Sequence, residues 1–279
     1  MQKKVLAIND ISCVGRCSLT VALPIISSVG LECSILPTAI LSTHTGGFSG
    51  YTFLDFTDEM KKVSNHWLSL NRKYDAIYTG FLGSSQQVEV VTDIVKKFKD
   101  NNIIIVDPAM ADNGILYKIF DESFPNEMKK LCLEGDVIIP NITEACLLTG
   151  YEYQANNHSE EYINGLILAL RKEGMKNIVL TGVCKNDNKI GAICYNYQTN
   201  EQYFYDRDII EGYYHGTGDV FASVFTSALI KGKSLEESTK IAVDITVESI
   251  KETIKYEDID IKYGVCFEEV TPLLIEKVK

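Results

Sequence analysis

The chain contains 279 residues, of which 46% are hydrophobic and 23% are charged, so it has ample apolar material for the core of a globular protein. Its 38 acidic residues outnumber 27 basic ones and give a formal net charge of -11. The basic residues are scattered, which argues against nucleic acid or an anionic membrane as a partner. A nucleotide ligand is still allowed, because backbone N–H groups can bind phosphate in an acidic protein.

No linker-like stretch or change in composition divides the sequence, and we expect one domain over residues 1–279. Short β-branched runs alternate with longer helical patterns. The runs predict buried parallel strands at residues 5–8, 75–78, 103–106, 136–139 and 177–180. Apolar residues at helical spacing predict helices at residues 84–100 and 159–174. This alternation is typical of a doubly wound α/β protein, in which helices flank a mostly parallel sheet.

The pattern changes after residue 188. Residues 189–207 alternate around a polar turn and predict an antiparallel hairpin at a sheet edge. The last third is helical, with helices predicted at residues 216–230 and 234–255 and a short closing helix from Phe267.

Polar residues follow each predicted strand, where ligands of open α/β sheets gather. These rim segments are residues 9–12, 79–81, 107–112, 140–144 and 181–182. Several carboxylates and small residues should therefore meet at one edge of the sheet. Two of the carboxylates also have a purely structural interpretation, because Asp107-Pro108 can end a strand and Glu144 can stabilise the start of a helix.

The strongest local signal is Gly216-Thr217-Gly218-Asp219, which opens an apolar helix. Glycines let the backbone approach a ligand, and the free N–H groups of a first helical turn attract a phosphoryl group. Asp219 would then accept the proton of a substrate hydroxyl. Alternatively, the glycines form a tight turn and Asp219 complements the helix dipole, and the tetrapeptide alone leaves both interpretations open.

Segments elsewhere extend this motif into a family pattern. They are Ser-Thr-His-Thr-Gly at 42–46, Thr-Gly-Phe at 79–81, Asp-Pro-Ala-Met-Ala-Asp at 107–112, Leu-Tyr at 116–117, Pro-Asn-Ile-Thr-Glu at 140–144 and Thr181. In this order they resemble the pyridoxal/pyridoxamine kinase branch of the ribokinase superfamily. The resemblance implies a single-domain, ribokinase-like doubly wound fold without the β-lid domain of sugar kinases. It also implies that the chain is an enzyme, which phosphorylates the primary hydroxymethyl group of a B6 vitamer (pyridoxal, pyridoxamine or pyridoxine) with ATP.

The resemblance further implies roles for individual residues. The catalytic set is Gly216, Gly218 and Asp219, with Asp219 as the general base. The substrate set is Asp10, Ser12, His44, Thr45 and Phe81, with His44 as a neutral hydrogen-bonding group. The nucleotide set is Tyr117, Asn141, Glu144, Thr181, Gly216, Thr217 and Gly218. The set for Mg²⁺ is Asp107, Asp112 and Glu144, and some relatives also use a monovalent cation such as K⁺.

Three positions depart from the family pattern. Asp10 stands where pyridoxal kinases usually have Ser, Phe81 where many relatives have Tyr, and Ile139 where some have a Thr near a monovalent cation. The substrate therefore stays open between a B6 vitamer and a hydroxymethylpyrimidine. A sugar or nucleoside kinase and a non-catalytic nucleotide-binding protein of the same fold are further alternatives.

The eight cysteines are spread along the chain, and the first residues lack the basic segment and apolar core of a signal peptide. Cys13 and Cys17 are close in sequence but are not followed by a second pair at zinc-site spacing. No apolar run approaches the length that spans a bilayer. We therefore expect reduced thiols in a cytoplasmic protein, and the resemblance implies a homodimer.

Overall fold

The computed structural model describes residues 1–186 and 188–279. Its strands are β1 (Lys4–Val14), β2 (Glu32–Thr43), β3 (Phe53–Asp55), β4 (Ala76–Thr79), β5 (Ile103–Val106), β6 (Ala111–Asp112), β7 (Ile115–Leu116), β8 (Val137–Ile138), β9 (Asn177–Asn186), β10 (Lys189–Asn196) and β11 (Glu201–Asp208). A nine-stranded sheet has the order β11-β10-β9-β8-β5-β4-β1-β2-β3, while β6 and β7 form a separate ribbon. Pairing is parallel from β9 to β2, and β3, β10 and β11 are antiparallel to their neighbours.

Helices cover both faces of the sheet. They are α1 (Leu19–Ser28), α2 (Thr57–Ser69), α3 (Ser85–Phe98), α4 (Phe124–Glu134), α5 (Ile142–Thr149), α6 (Glu160–Lys172), α7 (Thr217–Ile230), α8 (Leu235–Thr253) and α9 (Thr271–Val278). Successive residues of β1 point to opposite faces, as a pleated strand requires. Leu6 and Ile8 belong to a core with α2 to α6, and Val5 and Ala7 to a core with α1, α7, α8 and α9. The chain is thus a single-domain α/β protein in three layers.

The five predicted parallel strands are present, with ends that differ from the predicted ones by up to six residues. The hairpin at residues 189–207 is confirmed as β10 and β11 at the sheet edge. The sequence did not predict β2, which pairs in parallel with β1, or β3, which pairs with β2. β2 is hard to recognise because it contains Pro37 and is only partly buried along its length. The described residues of β3 extend the central sheet and do not form a separate lid domain.

The strand order reverses beside β1. The chain passes from β1 to β2 on one side and later returns through β4 on the other. Ligands of open α/β sheets bind at the carboxyl ends of the strands at such a switch point. Asn9 in β1 and the Thr79-Gly80 end of β4 lie here, and Asp219 of α7 lies within 3.4 Å of Asn9.

Within the described residues, no helix has the length and apolarity needed to cross a membrane.

Candidate active site

The first turn of α7 forms an open anion site. Gly216 precedes the helix with φ 76°, in the left-handed region that glycine adopts without strain. A Cβ at Gly216 would lie 2.1 Å from the carbonyl oxygen of Arg16, so the loop between β1 and α1 packs directly on this glycine. Gly216 has no side chain to cap the first turn. The N–H groups of the turn therefore stay available to an anion such as a phosphoryl group.

Asp219 lies in the same turn and faces β1. Asn9 donates a hydrogen bond from Nδ2 to Oδ1 of Asp219 at 3.4 Å. Burial raises the pKa of Asp219 to about 6, although the backbone N–H of Ser18 and the Asn9 side chain each lower it. A carboxylate with this pKa is ionised at neutral pH and is still basic enough to accept a proton, as a general base requires.

A second carboxylate, the buried Asp10, anchors the loop between β1 and α1. Ser18 Oγ donates to Asp10 Oδ1 at 2.5 Å, and Ser12 Oγ donates to Oδ2 at 3.3 Å. Burial raises the pKa of Asp10 to about 6, the Ser18 hydroxyl lowers it, and the charge of Asp219 raises it. Ser18 itself has φ 59° and ψ -131°, a conformation that residues with side chains rarely adopt. A strained residue therefore lies between the two carboxylates.

Glu144 is fixed at the start of α5 by a capping box. Asn141 Oδ1 accepts from the Glu144 N–H at 2.9 Å, and Glu144 Oε2 accepts from the Asn141 N–H at 2.8 Å. Glu144 Oε1 accepts from the Met110 N–H at 3.1 Å. Burial raises the pKa of Glu144 to about 8 against the effect of these N–H groups. Burial and then the charges of Glu144 and Asp219 raise the pKa of Asp107 well above the usual carboxyl range.

The donor atoms at this end suit Mg²⁺ when it arrives with phosphate. No group of three His, Cys, Asp or Glu side chains within residues 1–186 and 188–279 is placed to hold a metal ion by itself. Asp107 and Glu144 repel each other, and a divalent cation would relieve that repulsion. Mg²⁺ typically takes one or two carboxylates and completes its shell with water and substrate phosphate. Asp112, the third residue of the predicted metal set, accepts a hydrogen bond from the Tyr213 hydroxyl at 2.9 Å.

A cavity of about 490 Å³ extends from the anion site to α8. Its polar part is lined by Asp107, Asp112, Asn141, Glu144 and residues 216–219. Its remaining part is largely apolar and is lined by Ile190, Ile209, Val243, Val247 and Ile250, among others. Tyr117 and Thr181 also line it. The structure thus brings together the whole predicted nucleotide set around one cavity that has the size of a small-ligand site.

The predicted substrate residues lie elsewhere along the rim, at the ends of β1, β2 and β4, and do not line this cavity. His44 Nδ1 accepts from the Gly46 N–H at 3.1 Å, so the Nε2 atom carries the proton that bonds to the Lys262 carbonyl at 2.6 Å. Thr45 is exposed, and the Phe81 ring lies 5.8 Å from that of Phe120.

Sequence reasoning missed several residues that connect these two parts of the rim. His215 lines the cavity, and its ring lies 4.8 Å from the rings of both His44 and Tyr213. Its position directly before the glycine-rich turn was an available signal. Asn9 was recognisable as a polar residue at a strand end, but its bond to Asp219 joins positions far apart in the chain. No local pattern marks Ser18 or the contact of Tyr213 with Asp112.

A doubly wound sheet with an anion-binding helix start and a partly buried carboxylate at its switch point defines a small-molecule kinase of the ribokinase type. Comparison with known proteins agrees, because residues 25–263 match the family model described as phosphomethylpyrimidine kinase. The chain belongs to this family.

Three relatives illustrate the similarity. A Bacteroides thetaiotaomicron protein assigned as a phosphomethylpyrimidine kinase, crystallised in a form with pyridoxal, is 38% identical with a TM-score of 0.93, over 98% of this chain and 96% of that one. Pyridoxal kinase from Lactobacillus plantarum is 28% identical with a TM-score of 0.91, over 99% and 98% of the two chains. Pyridoxal kinase from Dictyostelium discoideum is 28% identical over 91% of this chain and 87% of its own length. The predicted fold, the kinase class and the pyridoxal kinase branch are confirmed.

Proposed function

We propose that this protein transfers the γ-phosphoryl group of ATP to the primary hydroxymethyl group of a B6 vitamer, with Asp219 as the general base. One observation carries the proposal: a partly buried carboxylate with a pKa of about 6 lies in the same helical turn as the open anion site of residues 216–218. Relatives with similar folds are pyridoxal kinases, and the Bacteroides relative was crystallised with pyridoxal.

The reaction follows from the relative positions of base and anion site. Asp219 accepts the hydroxyl proton of the substrate while the alkoxide oxygen forms a bond to the γ-phosphorus. The bond from that phosphorus to the bridging oxygen breaks, and ADP leaves with the electron pair. The N–H groups of residues 216–218 stabilise the charge on the transferred group. A base of this kind contributes on the order of a hundredfold to ten-thousandfold to the rate.

The long cavity is the proposed nucleotide site. Its apolar part beside α8 suits the adenine ring, and Asn141, Thr181 and Tyr117 line the path towards the anion site. Asp107 and Glu144 would hold Mg²⁺ through oxygen atoms and water, with Asp112 nearby. When bound, Mg²⁺ neutralises charge on the phosphate oxygens.

The vitamer is proposed to lie on the side of β1, β2 and β4, between Asp10, Ser12, His44, Thr45 and Phe81. The aromatic rings of His44, Phe48 and Tyr263 form a cluster there, with neighbouring ring centroids 4.9 Å and 5.1 Å apart. Such a cluster suits a flat heteroaromatic substrate.

A hydroxymethylpyrimidine is the second candidate substrate. The family model carries the name of a phosphomethylpyrimidine kinase, as does the Bacteroides relative. Both substrate classes present a hydroxymethyl group on a six-membered nitrogen ring, so the same base and anion site would serve either one.

The test is ATP-dependent phosphorylation of pyridoxal, pyridoxamine, pyridoxine, hydroxymethylpyrimidine and several sugars by the wild-type protein, followed by the Asp219→Asn variant. We expect a B6 vitamer to give the highest kcat/KM and the variant to lose at least about a hundredfold in kcat. ADP affinity by calorimetry should change little. Asp93→Asn, which alters an exposed carboxylate on α3, is the matched control. A sugar preference, or equal turnover by wild type and Asp219→Asn, would contradict the proposal.

We also propose that the protein acts in the cytoplasm. All eight cysteines are free thiols in the described residues, as a reducing compartment allows. The homodimer implied by the sequence resemblance stays a prediction, which light scattering of the purified protein would test.

A further inference from the structure

The side-chain amide of Asn9 is held in one orientation by the backbone around it. Its Oδ1 atom accepts hydrogen bonds from the Phe81 N–H at 2.8 Å and from the Asp10 N–H at 2.9 Å. An amide oxygen accepts and an amide nitrogen donates, so these two bonds decide which end of the group is which. Nδ2 is left to donate to Asp219 at 3.4 Å. Asn9 is fully buried, with 0% exposure.

Gly80 provides the space for this amide. A Cβ at Gly80 would lie 2.2 Å from Asn9 Nδ2 and 2.6 Å from its Cγ. Gly80 is not among the residues with positive φ, so its backbone would accept an alanine without strain. The side chain of Asn9 is therefore what excludes a larger residue at position 80.

Within the described residues, Asn9 is the only side chain that donates a hydrogen bond to Asp219. The other titratable groups that face Asp219 carry no positive charge. They are Asp10 in β1, Cys17 in the loop after β1, Asp107 after β5 and Tyr78 in β4. The amide thus has no substitute among the neighbouring side chains in orienting the carboxylate.

We propose that Asn9 is a positioning residue for Asp219, which fixes the carboxylate in the orientation that receives the substrate proton. The inference rests on the proposed phosphoryl transfer and adds to it a residue that contacts the base and not the reacting atoms. The 3.4 Å separation is long for a hydrogen bond and allows the contact to shorten in the substrate complex.

The first test is Asn9→Asp, which keeps the oxygen that accepts from Phe81 and Asp10 but replaces the donor by a second carboxylate oxygen. We expect kcat to fall by about tenfold to a hundredfold, as for loss of a hydrogen bond to a charged group. The KM for ATP should stay within about twofold, because Asn9 does not line the nucleotide cavity. The fall of kcat/KM at acidic pH, its acid limb, should move to higher pH, because the variant loses a donor that favours ionised Asp219 and adds a second negative charge beside it.

Gln87→Glu is the matched control. Gln87 is another fully buried amide, whose Oε1 accepts from the Gly83 N–H at 2.8 Å and whose Nε2 donates to Thr38 and to Asp55. The change removes a donor from a buried amide in the same way but away from Asp219. We expect it to lower the melting temperature without moving the acid limb. An equal shift of the acid limb in both variants, or an unchanged acid limb and kcat in Asn9→Asp, would overturn the inference.

The second test is a double-mutant cycle between Asn9 and Gly80. Gly80→Ala should lower kcat because its new Cβ displaces the amide from Asp219. In the Asn9→Ala background the clash is gone, so the Gly80→Ala change should alter kcat by less than about twofold. If the fold-loss of kcat in the double variant equals the product of the losses in the two single variants, the residues act independently, and the positioning role is refuted.

These outcomes are separable from failure of the proposed function. If the wild type phosphorylates no B6 vitamer, the cycle is run with the alcohol that it does phosphorylate. Positive coupling between Asn9 and Gly80 with that acceptor would support the inference and contradict only the assigned substrate. If the wild type phosphorylates a B6 vitamer but the cycle shows no coupling, the inference fails and the proposed function stands.

Discussion

The two glycines of the anion turn should respond to the same substitution in opposite ways. Gly216 has φ 76°, and an added Cβ would lie 2.1 Å from the Arg16 carbonyl oxygen. Gly218 lies inside the first turn of α7, and an added Cβ would meet no atom within 4 Å. Gly216→Ala therefore destabilises the unliganded protein, whereas Gly218→Ala fills only space that a ligand would occupy.

The structure sets the size of each effect. A left-handed conformation costs a residue with a side chain roughly 1–2 kcal/mol, and forcing apart a packed contact costs roughly 1–3 kcal/mol more. Gly216→Ala should thus lower the free energy of unfolding by about 2–5 kcal/mol, or at least about 4 °C in melting temperature. Gly218→Ala replaces a helical glycine by the best helix former and should raise stability by at most about 1 kcal/mol.

Thermal unfolding of the unliganded variants, followed by calorimetric titration with ADP and by turnover, separates the two cases. For Gly218→Ala we expect unchanged or higher stability together with turnover that is at least about tenfold slower, because the Cβ lies where the phosphoryl group approaches the backbone. Equal loss of melting temperature in the two variants would refute this interpretation of the turn. So would full activity of Gly218→Ala, since the N–H groups of the turn would then not contact phosphate closely.

Three further results are expected. Below pH of about 6, kcat/KM should fall about tenfold per pH unit as Asp219 becomes protonated, whereas an unchanged rate at pH 5 would exclude it as the base. Asp107→Asn should raise the melting temperature of the ligand-free protein while reducing turnover. The raised pKa of Asp107 means that the folded wild-type protein binds the proton more tightly than the unfolded chain, so its stability falls as pH rises. The gain in melting temperature from Asp107→Asn should therefore be larger at pH 8 than at pH 5. Iodoacetamide at pH 8 should modify exposed Cys13 before Cys17, whose thiol pKa is raised by burial and by Asp219, and mass spectrometry would show the order.

Much of the fold was predictable because its central strands are continuous apolar runs. A strand that is buried on both faces, such as Ile103–Val106, has a composition that differs clearly from its surroundings. β2 does not, since it lies near the sheet edge and mixes polar residues with Pro37. All three residues of the short strand β3 are exposed, and the strand depends on pairing with β2. Such elements are stabilised by tertiary contacts, which leave little trace in local sequence.

The candidate site was predictable to the extent that its residues follow strands. The carboxyl ends of parallel strands share one edge, so Asp10, Asp107 and Glu144 could be grouped before any coordinates were known. The contact of Asn9 with Asp219 was not predictable, because 210 positions separate the two residues. The strained backbone of Ser18 likewise arises from the packing of the loop, and serine at that position gives no sign of it.

Position and hydrogen bonding give an independent reason to choose Asp219 as the base among the four carboxylates of the site. Both oxygens of Glu144 accept from backbone N–H groups, and both oxygens of Asp10 accept from serine hydroxyls. Burial and then two neighbouring negative charges raise the pKa of Asp107, so a cation would stabilise its ionised form. Asp219 accepts from one side chain, Asn9 at Oδ1, and from the Ser18 N–H, and it shares a helical turn with the anion site. Asp219 is therefore the carboxylate best placed to receive a proton from an alcohol that attacks phosphate bound to that turn.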